Sequence, residues 1–172
     1  MQPWSVGEER VEVGPRLAWL GLGPGLIRAR VRVRVMAELG SWLGSSTRFI
    51  LNNTKNANVF AVDHWSDNIK DYGNGKGGTK NDPGIEKIGT LWETFLVNCW
   101  EFKERLYPIR EYTNKGLDIL NMLGIDVDLV YIDASHGYED VLDDINKSLK
   151  YFPNAIIMGD DWNWGSVQRA VK

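Results

Sequence analysis

Short apolar runs alternate with stretches of helical periodicity along most of the chain. Five runs rich in Val, Ile and Leu occupy residues 35–39, 59–62, 106–112, 128–132 and 155–158. Runs such as VDLVYI and AIIM lack polar alternation, which is typical of strands that helices cover on both faces of a parallel sheet. This succession of strand and helix patterns predicts a doubly wound, mostly parallel α/β fold.

Two apolar stripes with helical spacing lie between these runs. One predicts a core-packing helix of about five turns, with a dimerisation seam as the alternative. Its members are Ile85, Ile88, Trp92, Phe95, Cys99, Phe102 and Leu106. The other predicts a helix over residues 138–150, in which acids precede lysines as the helix dipole favours. A run rich in Gly, Asn and Pro between residues 65 and 84 predicts a long loop, which could cover a site as a lid.

The beginning of the chain differs in composition from the rest. The first 37 residues hold six arginines and no lysine, whereas ten of the fourteen basic residues after them are lysines. A targeting presequence is disfavoured because Glu8, Glu9 and Glu12 are acidic. We therefore interpret residues 1–34 as an atypical Arg-rich N-terminal extension and residues 35–172 as one domain.

Composition narrows the classes of partner. The chain has 172 residues, a net charge of −3 and a pI near 5.4, so its composition shows no basic footprint of the kind that phosphate-backbone binding usually leaves, and we expect no nucleic acid partner. No apolar run approaches the roughly 20 residues of a membrane span, so we expect no membrane partner. The lone cysteine, Cys99, cannot form an intrachain disulfide, which favours a reducing compartment such as the cytoplasm. The oligomeric state stays open, with a homodimer as one option.

The segment ELGSWLGSST, residues 38–47, lies where the first apolar run gives way to a helix near Ser45. Glycines at such a turn let a ligand approach the backbone, and the N–H groups of a helix start can hold an anionic group. Ser45, Ser46 or Thr47 could equally be helix caps. A nicotinamide-binding fingerprint would need three glycines in G-x-G-x-x-G, and this turn has only Gly40 and Gly44.

The next run ends at Asp63 in VFAVDHW, about twenty residues further on. A carboxylate at this point can accept hydrogen bonds from both hydroxyls of a ribose. Alone, Asp63 could be a solvated turn residue. Together with the preceding turn, it indicates a nucleoside-containing ligand at the carboxyl ends of the strands.

Acidic residues end the fourth and fifth runs, at Asp133 and at Asp160 with Asp161. Carboxylates that converge at one edge of a sheet repel each other unless a cation lies between them, and Mg²⁺ prefers oxygen ligands. The alternative is that Asp160 or Asp161 caps the next helix or contacts a cofactor. His136 could take a proton from an acceptor hydroxyl, or it could be an ordinary loop histidine.

ELGSWLGSST, AVDHW, LVYIDASHGYEDVLDDI and AIIMGDDW, in that order, resemble class I S-adenosylmethionine-dependent methyltransferases, in particular those related to metal-dependent small-molecule O-methyltransferases. The resemblance covers residues 35–172. It implies that S-adenosylmethionine is the cofactor and that Mg²⁺ is a candidate metal. The contacts that it implies for the cofactor are Glu38, Gly40, Ser41, Gly44 and Ser45 near the methionine part, Asp63 at the ribose, His64, Thr113 and Asn114 near the adenosine, and Asp133.

The same resemblance implies a reaction. A methyl group would pass to an oxygen of a small-molecule acceptor, with His136 and Asp133 as catalytic residues and Asp133, Asp160 and Asp161 as metal ligands. Trp65, Trp162 and Trp164 would form apolar walls near the acceptor or serve as core cover.

The chain departs from the seven-stranded family pattern after its fifth run. We expect the strand order 3-2-1-4-5 with the last two strands missing, which would leave the edge of the fifth strand unpaired. The alternative function is a module or fragment that binds the cofactor but is catalytically inactive.

Overall fold

The computed structural model describes residues 33–66 and 90–172, together with the backbone of Arg16–Trp19. The strands are β1 (Arg16–Trp19), β2 (Val35–Leu39), β3 (Asn58–Asp63), β4 (Leu106–Arg110), β5 (Leu129–Ile132) and β6 (Ile156–Gly159). The helices are α1 (Ser45–Asn53), α2 (Leu91–Cys99), α3 (Thr113–Met122), α4 (Tyr138–Tyr151) and α5 (Gly165–Val171), and a 3₁₀ turn, Trp100–Phe102, follows α2.

The strands form one sheet in the order β1-β6-β5-β2-β3-β4, and every pairing is parallel. Strands β2 to β6 therefore follow the order 3-2-1-4-5, as the sequence predicts. The order reverses between β2 and β5, and ligands of open α/β sheets bind at the carboxyl ends of the strands beside such a reversal. The fold places the ends of β2, β3, β5 and β6 around this crevice.

The strand β1 lies against β6, with Arg16 opposite Ile156 and Trp19 opposite Gly159. We expected the edge of the fifth run, now β6, to be unpaired, and this expectation was wrong. The backbone of β1 pairs with that edge. The four residues of β1 fall inside the segment interpreted as an extension, so part of that segment belongs to the sheet of the domain.

Helices cover both faces of the sheet. One core cluster joins the sheet to α3, α4 and α5, and its fully buried members include Leu39, Val62, Leu117, Leu120, Val130 and Ile157. The other joins it to α1 and α2, and its members include Leu51, Val59, Ala61, Trp65, Phe95 and Cys99. This two-sided burial is the reason that the strands read as continuous apolar runs.

The two predicted helices have different outcomes. The helix predicted over residues 138–150 is confirmed as α4. The apolar stripe forms α2 and the 3₁₀ turn, and Leu106 already begins β4, so the predicted helix is too long at its C-terminal end. Ile85, Ile88 and most of the predicted loop lie outside the described residues. Within the described residues, none of the helices is long and apolar enough to cross a membrane.

A polar network joins α3 to α4. Lys147 donates from Nζ to the carboxylate of Asp118, at 3.0 and 3.1 Å, and to the carbonyl of Asn114 at 3.0 Å. Asp144 is buried beside this network and accepts a hydrogen bond from the Thr113 side chain. Burial raises the pKa of Asp144 to about 7, and the acids Asp143 and Asp140 act in the same direction. Burial therefore favours the neutral form of the Asp144 carboxyl.

We expect Asp144→Asn to change the pH dependence of stability. Because the folded pKa of Asp144 is raised above the ordinary value of 3.8, the folded state binds more protons than the unfolded state between about pH 4 and pH 7. The wild type should therefore lose stability as pH rises through this window. The neutral Asn escapes the loss, so the variant should be more stable at pH 8 by roughly 2 kcal/mol, from a shift of about 1.4 kcal/mol per pKa unit reduced for relaxation.

Urea denaturation at pH 4 and pH 8 measures this difference. Other titrating acids contribute equally to both proteins and cancel when the variant is compared with the wild type at each pH. A stability difference that does not change between pH 4 and pH 8 would show that Asp144 titrates normally.

Candidate functional site at the carboxyl ends of the strands

The turn after β2 depends on two glycines with positive φ, Gly40 at +91° and Gly44 at +87°. A Cβ at Gly40 would lie 2.1 Å from the backbone oxygen of Asp133, and one at Gly44 would lie 2.4 Å from Sγ of Cys99. Both glycines are therefore explained by contacts within the protein: Gly40 lets the turn lie against the end of β5, and Gly44 lets it lie against α2. Cofactor approach is not needed to explain either glycine.

Glu38 is fully buried beneath this turn. Its Oε2 accepts hydrogen bonds from the hydroxyls of Ser41, at 3.0 Å, and of Thr47. Burial raises the pKa of the Glu38 carboxyl, and its bonds to hydroxyls act in the opposite direction. Its Oε1 is buried with no hydrogen-bond partner among the described residues. Glu38 thus ties the turn to α1, which begins at Ser45 after an N-cap, Gly44, that has no side chain to cap the helix.

Asp63 ends β3 and joins two turns. Its Oδ2 accepts the N–H of Trp42 at 2.9 Å, and its Oδ1 accepts the N–H of Trp65 at 2.8 Å. Both tryptophans have positive φ, 47° and 39°, so the carboxylate stabilises a backbone conformation that residues with a side chain rarely adopt. A carboxylate at the end of this strand is also the group that accepts hydrogen bonds from ribose hydroxyls in such sheets.

His64, which follows Asp63, forms an aromatic pair with Tyr112, which lies two residues after β4. The His64 ring lies 5.0 Å from the ring of Tyr112, and its Nδ1 accepts the N–H of Ser66 at 3.0 Å. The Tyr112 side chain is 58% exposed. Tyr112 was not predicted as a site residue, although an aromatic residue at the end of the third apolar run, residues 106–112, was a visible signal.

Thr113 and Asn114 begin α3 and contact α4. The Thr113 side chain bonds to Asp144, and the carbonyl of Asn114 accepts Lys147. These bonds place both residues at the joint between α3 and α4, with the Thr113 side chain and the Asn114 backbone taking part. Their predicted position near an adenine stays a prediction.

The acidic rim lies at the ends of β5 and β6. One ligand atom each from Asp133, His136 and Asp161 lies within 4.8 Å of the other two. Nε2 of His136 contacts Oδ2 of Asp161 directly. The Asp160 carboxylate instead accepts the N–H of Asp161 at 2.8 Å and the hydroxyl of Tyr131 at 3.3 Å. The structure therefore brings together His136 and two of the three predicted metal ligands.

The rim concentrates negative charge where water is partly excluded. Burial raises the pKa of Asp133 to about 7, and Asp160, Asp161 and Glu38 act in the same direction. Burial and the nearby acids also raise the pKa of Tyr131, so its hydroxyl stays protonated and can donate to Asp160. A group with a pKa near neutrality can exchange protons at working pH, and a cation placed here would restore the charged form of Asp133.

Three tryptophans were predicted as apolar walls, and they lie in different surroundings. Trp65 is fully buried against Trp92 and Phe95, and it therefore belongs to the core. Trp162 is partly buried against the core cluster of α4 and α5. Trp164 is 45% exposed and stacks on the His136 ring, with a centroid distance of 4.7 Å and an interplanar angle of 24°. Of these three tryptophans, Trp164 is the one whose ring stacks on a residue of the acidic rim in the described part of the chain.

The fold and the crevice define a Rossmann-like α/β protein of the type that binds a nucleoside cofactor at the strand reversal. The sequence profile of the methyltransferase domain family matches residues 37–162. The chain belongs to this methyltransferase domain family, and membership implies S-adenosylmethionine as the cofactor. No curated protein matches the sequence at a significant level.

Solved structures are similar to this chain at low sequence identity. The precorrin-6y C5,15-methyltransferase from Geobacter metallireducens GS-15 is 18% identical, with a TM-score of 0.55 over 82% of this chain and 61% of that one. The fibrillarin/Nop5p complex gives 14% identity and a TM-score of 0.44 over 69% and 44%. A Staphylococcus aureus protein described as a caffeoyl-CoA O-methyltransferase gives 12% and 0.41 over 70% and 44%. The chain thus spans 44–61% of the length of these structures.

Proposed function

We propose that this chain transfers the methyl group of S-adenosylmethionine to an oxygen atom of a small-molecule acceptor. The observation that carries the proposal is the convergence of Asp133, His136 and Asp161 beside the strand reversal. A proton-accepting imidazole paired with a carboxylate is the arrangement that activates a hydroxyl for attack. The acceptor hydroxyl would lie at this rim.

The residues of the crevice fit the cofactor in three places. The uncapped start of α1 offers N–H groups to the methionine carboxylate, and the partnerless Oε1 of Glu38 lies buried beneath the same turn. Asp63 ends β3, where a carboxylate would accept the ribose hydroxyls. The exposed Tyr112, beside His64, extends the adenosine surface that His64 was predicted to line.

The protein residues would supply alignment and proton transfer. The bound cofactor supplies an electrophilic methyl group on a sulfonium sulfur. His136 engages Asp161 through Nε2, which leaves Nδ1 as the nitrogen that would accept the proton of the acceptor hydroxyl. Asp161 would orient the imidazole and stabilise the imidazolium that forms. Holding the acceptor oxygen in line with the methyl group supplies much of the remaining acceleration.

The same three side chains fit a divalent cation, since two carboxylates and one imidazole form an acceptable ligand set for Mg²⁺ or Mn²⁺. Asp133, His136 and Asp161 would hold the ion, which would lower the pKa of a coordinated hydroxyl. His136 would then be a ligand and would no longer be the base. Methyl-transfer assays on catechols, sugars and carboxylic acids, with Mg²⁺ and with EDTA, distinguish these two uses of His136.

We expect calorimetric titration of the full chain with S-adenosylmethionine to show micromolar binding that Asp63→Ala weakens at least tenfold, about 1.4 kcal/mol. The carboxylate is the group placed to accept the ribose hydroxyls. Because Asp63 also accepts the N–H groups of Trp42 and Trp65 on its two oxygens, Asp63→Asn is a second and less disruptive variant. It keeps one carbonyl oxygen for the backbone but cannot accept two hydroxyls.

Both variants should bind weakly if Asp63 holds the ribose, and thermal melts show whether each is folded. No binding by the folded wild type would contradict cofactor use by this chain. Binding without turnover on any acceptor would instead favour a module that binds the cofactor but is inactive.

A further inference from the structure

Asp160 is the one acid of the rim that lies outside the converging group. Its two carboxylate oxygens accept different donors, the N–H of Asp161 at 2.8 Å and the hydroxyl of Tyr131 at 3.3 Å. Tyr131 is on β5 and Asp160 follows β6, so this pair of bonds ties together the ends of two neighbouring strands. The Asp160 carboxylate is thus oriented by a side chain of the neighbouring strand and by the N–H of the next residue.

The hydrogen bond that Asp160 accepts from the Asp161 N–H holds an unfavourable backbone conformation at Asp161. Asp161 has a φ of +56°, in the left-handed region that residues with a side chain rarely adopt. In this conformation Oδ2 of Asp161 contacts Nε2 of His136, and the Asp161 carbonyl accepts the N–H of Trp164 at 2.9 Å. A relaxed Asp161 would therefore alter both contacts at once.

Asp161 and Trp164 both contact the imidazole of His136. Asp161 contacts its edge, and Trp164 stacks on its face at 4.7 Å. The backbone of His136 is anchored separately, because its carbonyl accepts the Ser166 hydroxyl at 2.6 Å. What Asp161 and Trp164 determine is therefore the orientation of the ring.

We infer that Asp160 is a positioning residue, which Tyr131 orients and which holds Asp161 in the left-handed conformation that fixes the His136 ring. The inference rests on the proposed function in one respect, which is that the His136 ring matters for methyl transfer. It assigns to Asp160 a role different from that of the metal ligand predicted from the sequence. Asp133, His136 and Asp161 then form the ligand set, if an ion binds.

The position of the His136 ring can be measured without cofactor, metal or turnover. The chain has two histidines, His64 and His136, so each gives one resolvable set of imidazole C–H resonances, and His64→Gln assigns them. Stacking on Trp164 shifts the His136 resonances upfield through the ring current of the indole. We expect Asp160→Ala to move them towards the free-histidine position at constant pH, and Tyr131→Phe to move them part of the way.

The matched control is Asp160→Asn. An amide oxygen can still accept the Asp161 N–H, and the amide nitrogen can donate to the Tyr131 oxygen, so this variant should keep the His136 resonances in place. Thermal melts identify any variant that is unfolded, in which case the comparison of Asp160→Asn with Tyr131→Phe decides. Resonances that stay in place in Asp160→Ala and in Tyr131→Phe would overturn the inference.

Calorimetric titration with Mn²⁺ distinguishes positioning from ligation. We expect Asp160→Asn to keep the Mn²⁺ affinity of the wild type within about threefold, while Asp161→Asn weakens it at least tenfold. Equal losses in these two variants would make Asp160 a direct ligand and overturn the inference. If the folded wild type binds no Mn²⁺, the cation part of the proposed function fails, and the resonance comparison still decides the role of Asp160.

Discussion

Gly40→Ala is expected to destabilise the domain by about 3 kcal/mol or more. The new Cβ would lie 2.1 Å from the Asp133 oxygen, and the neighbouring atoms are also backbone, so no flexible side chain can move aside. The positive φ of +91° adds conformational strain. The turn would have to leave the end of β5, and this disrupts packing in addition to the strain. Urea denaturation of the purified chain measures the loss.

Gly124→Ala is the matched control. Gly124 also has a positive φ, +65°, but a Cβ there would meet no atom within 4 Å. It isolates the cost of the left-handed conformation, about 1 kcal/mol. If both variants lose the same stability, the close approach of the Gly40 turn to Asp133 does not stabilise the fold. A larger loss in Gly40→Ala would show that glycine is needed there for packing.

His136→Gln is expected to lower kcat for methyl transfer by about 100-fold or more once an acceptor is found. General base catalysis by a positioned side chain contributes about 10² to 10⁴ in rate, and glutamine cannot accept the proton. Cofactor affinity should change little, because His136 lies at the rim formed by β5 and β6 and Asp63 ends β3. Steady-state kinetics and calorimetric titration with S-adenosylmethionine measure the two effects separately.

The other histidine of the chain provides the comparison. His64→Gln should raise the KM for S-adenosylmethionine, because His64 lies beside Asp63 and Tyr112. The two substitutions are chemically identical. If His136→Gln lowers kcat and His64→Gln raises KM, the difference is therefore due to the positions of the two histidines in the site. A kcat for His136→Gln within threefold of the wild type would remove His136 from the mechanism.

Much of the fold could be predicted because its signals are local. Each buried strand of a parallel sheet is an apolar run, and the helical spacing of apolar residues and the order of charges predict α4. Acids at the ends of such runs must meet at one edge of the sheet. The sequence alone therefore determined the α/β class and the side of the sheet on which the candidate site lies, while the order of β2 to β6 was implied by the family resemblance.

The tertiary structure decided what depends on partners distant in sequence. Whether β1 pairs with β6 depends on contacts across some 140 residues, which no local pattern reports. The turn glycines were predicted for ligand approach, but their packing against Asp133 and Cys99 emerges only when the elements are assembled.

The same limit applies to the acids of the site. Asp160 and Asp161 are neighbours in sequence and equally plausible as ligands, yet one backbone angle directs Asp161 towards His136 and leaves Asp160 bonded to Tyr131. The sequence by itself determined which chemical groups reach the rim. Only the tertiary structure decided which of them meet, because a side chain's direction is set by its backbone angles and by the donors that surround it.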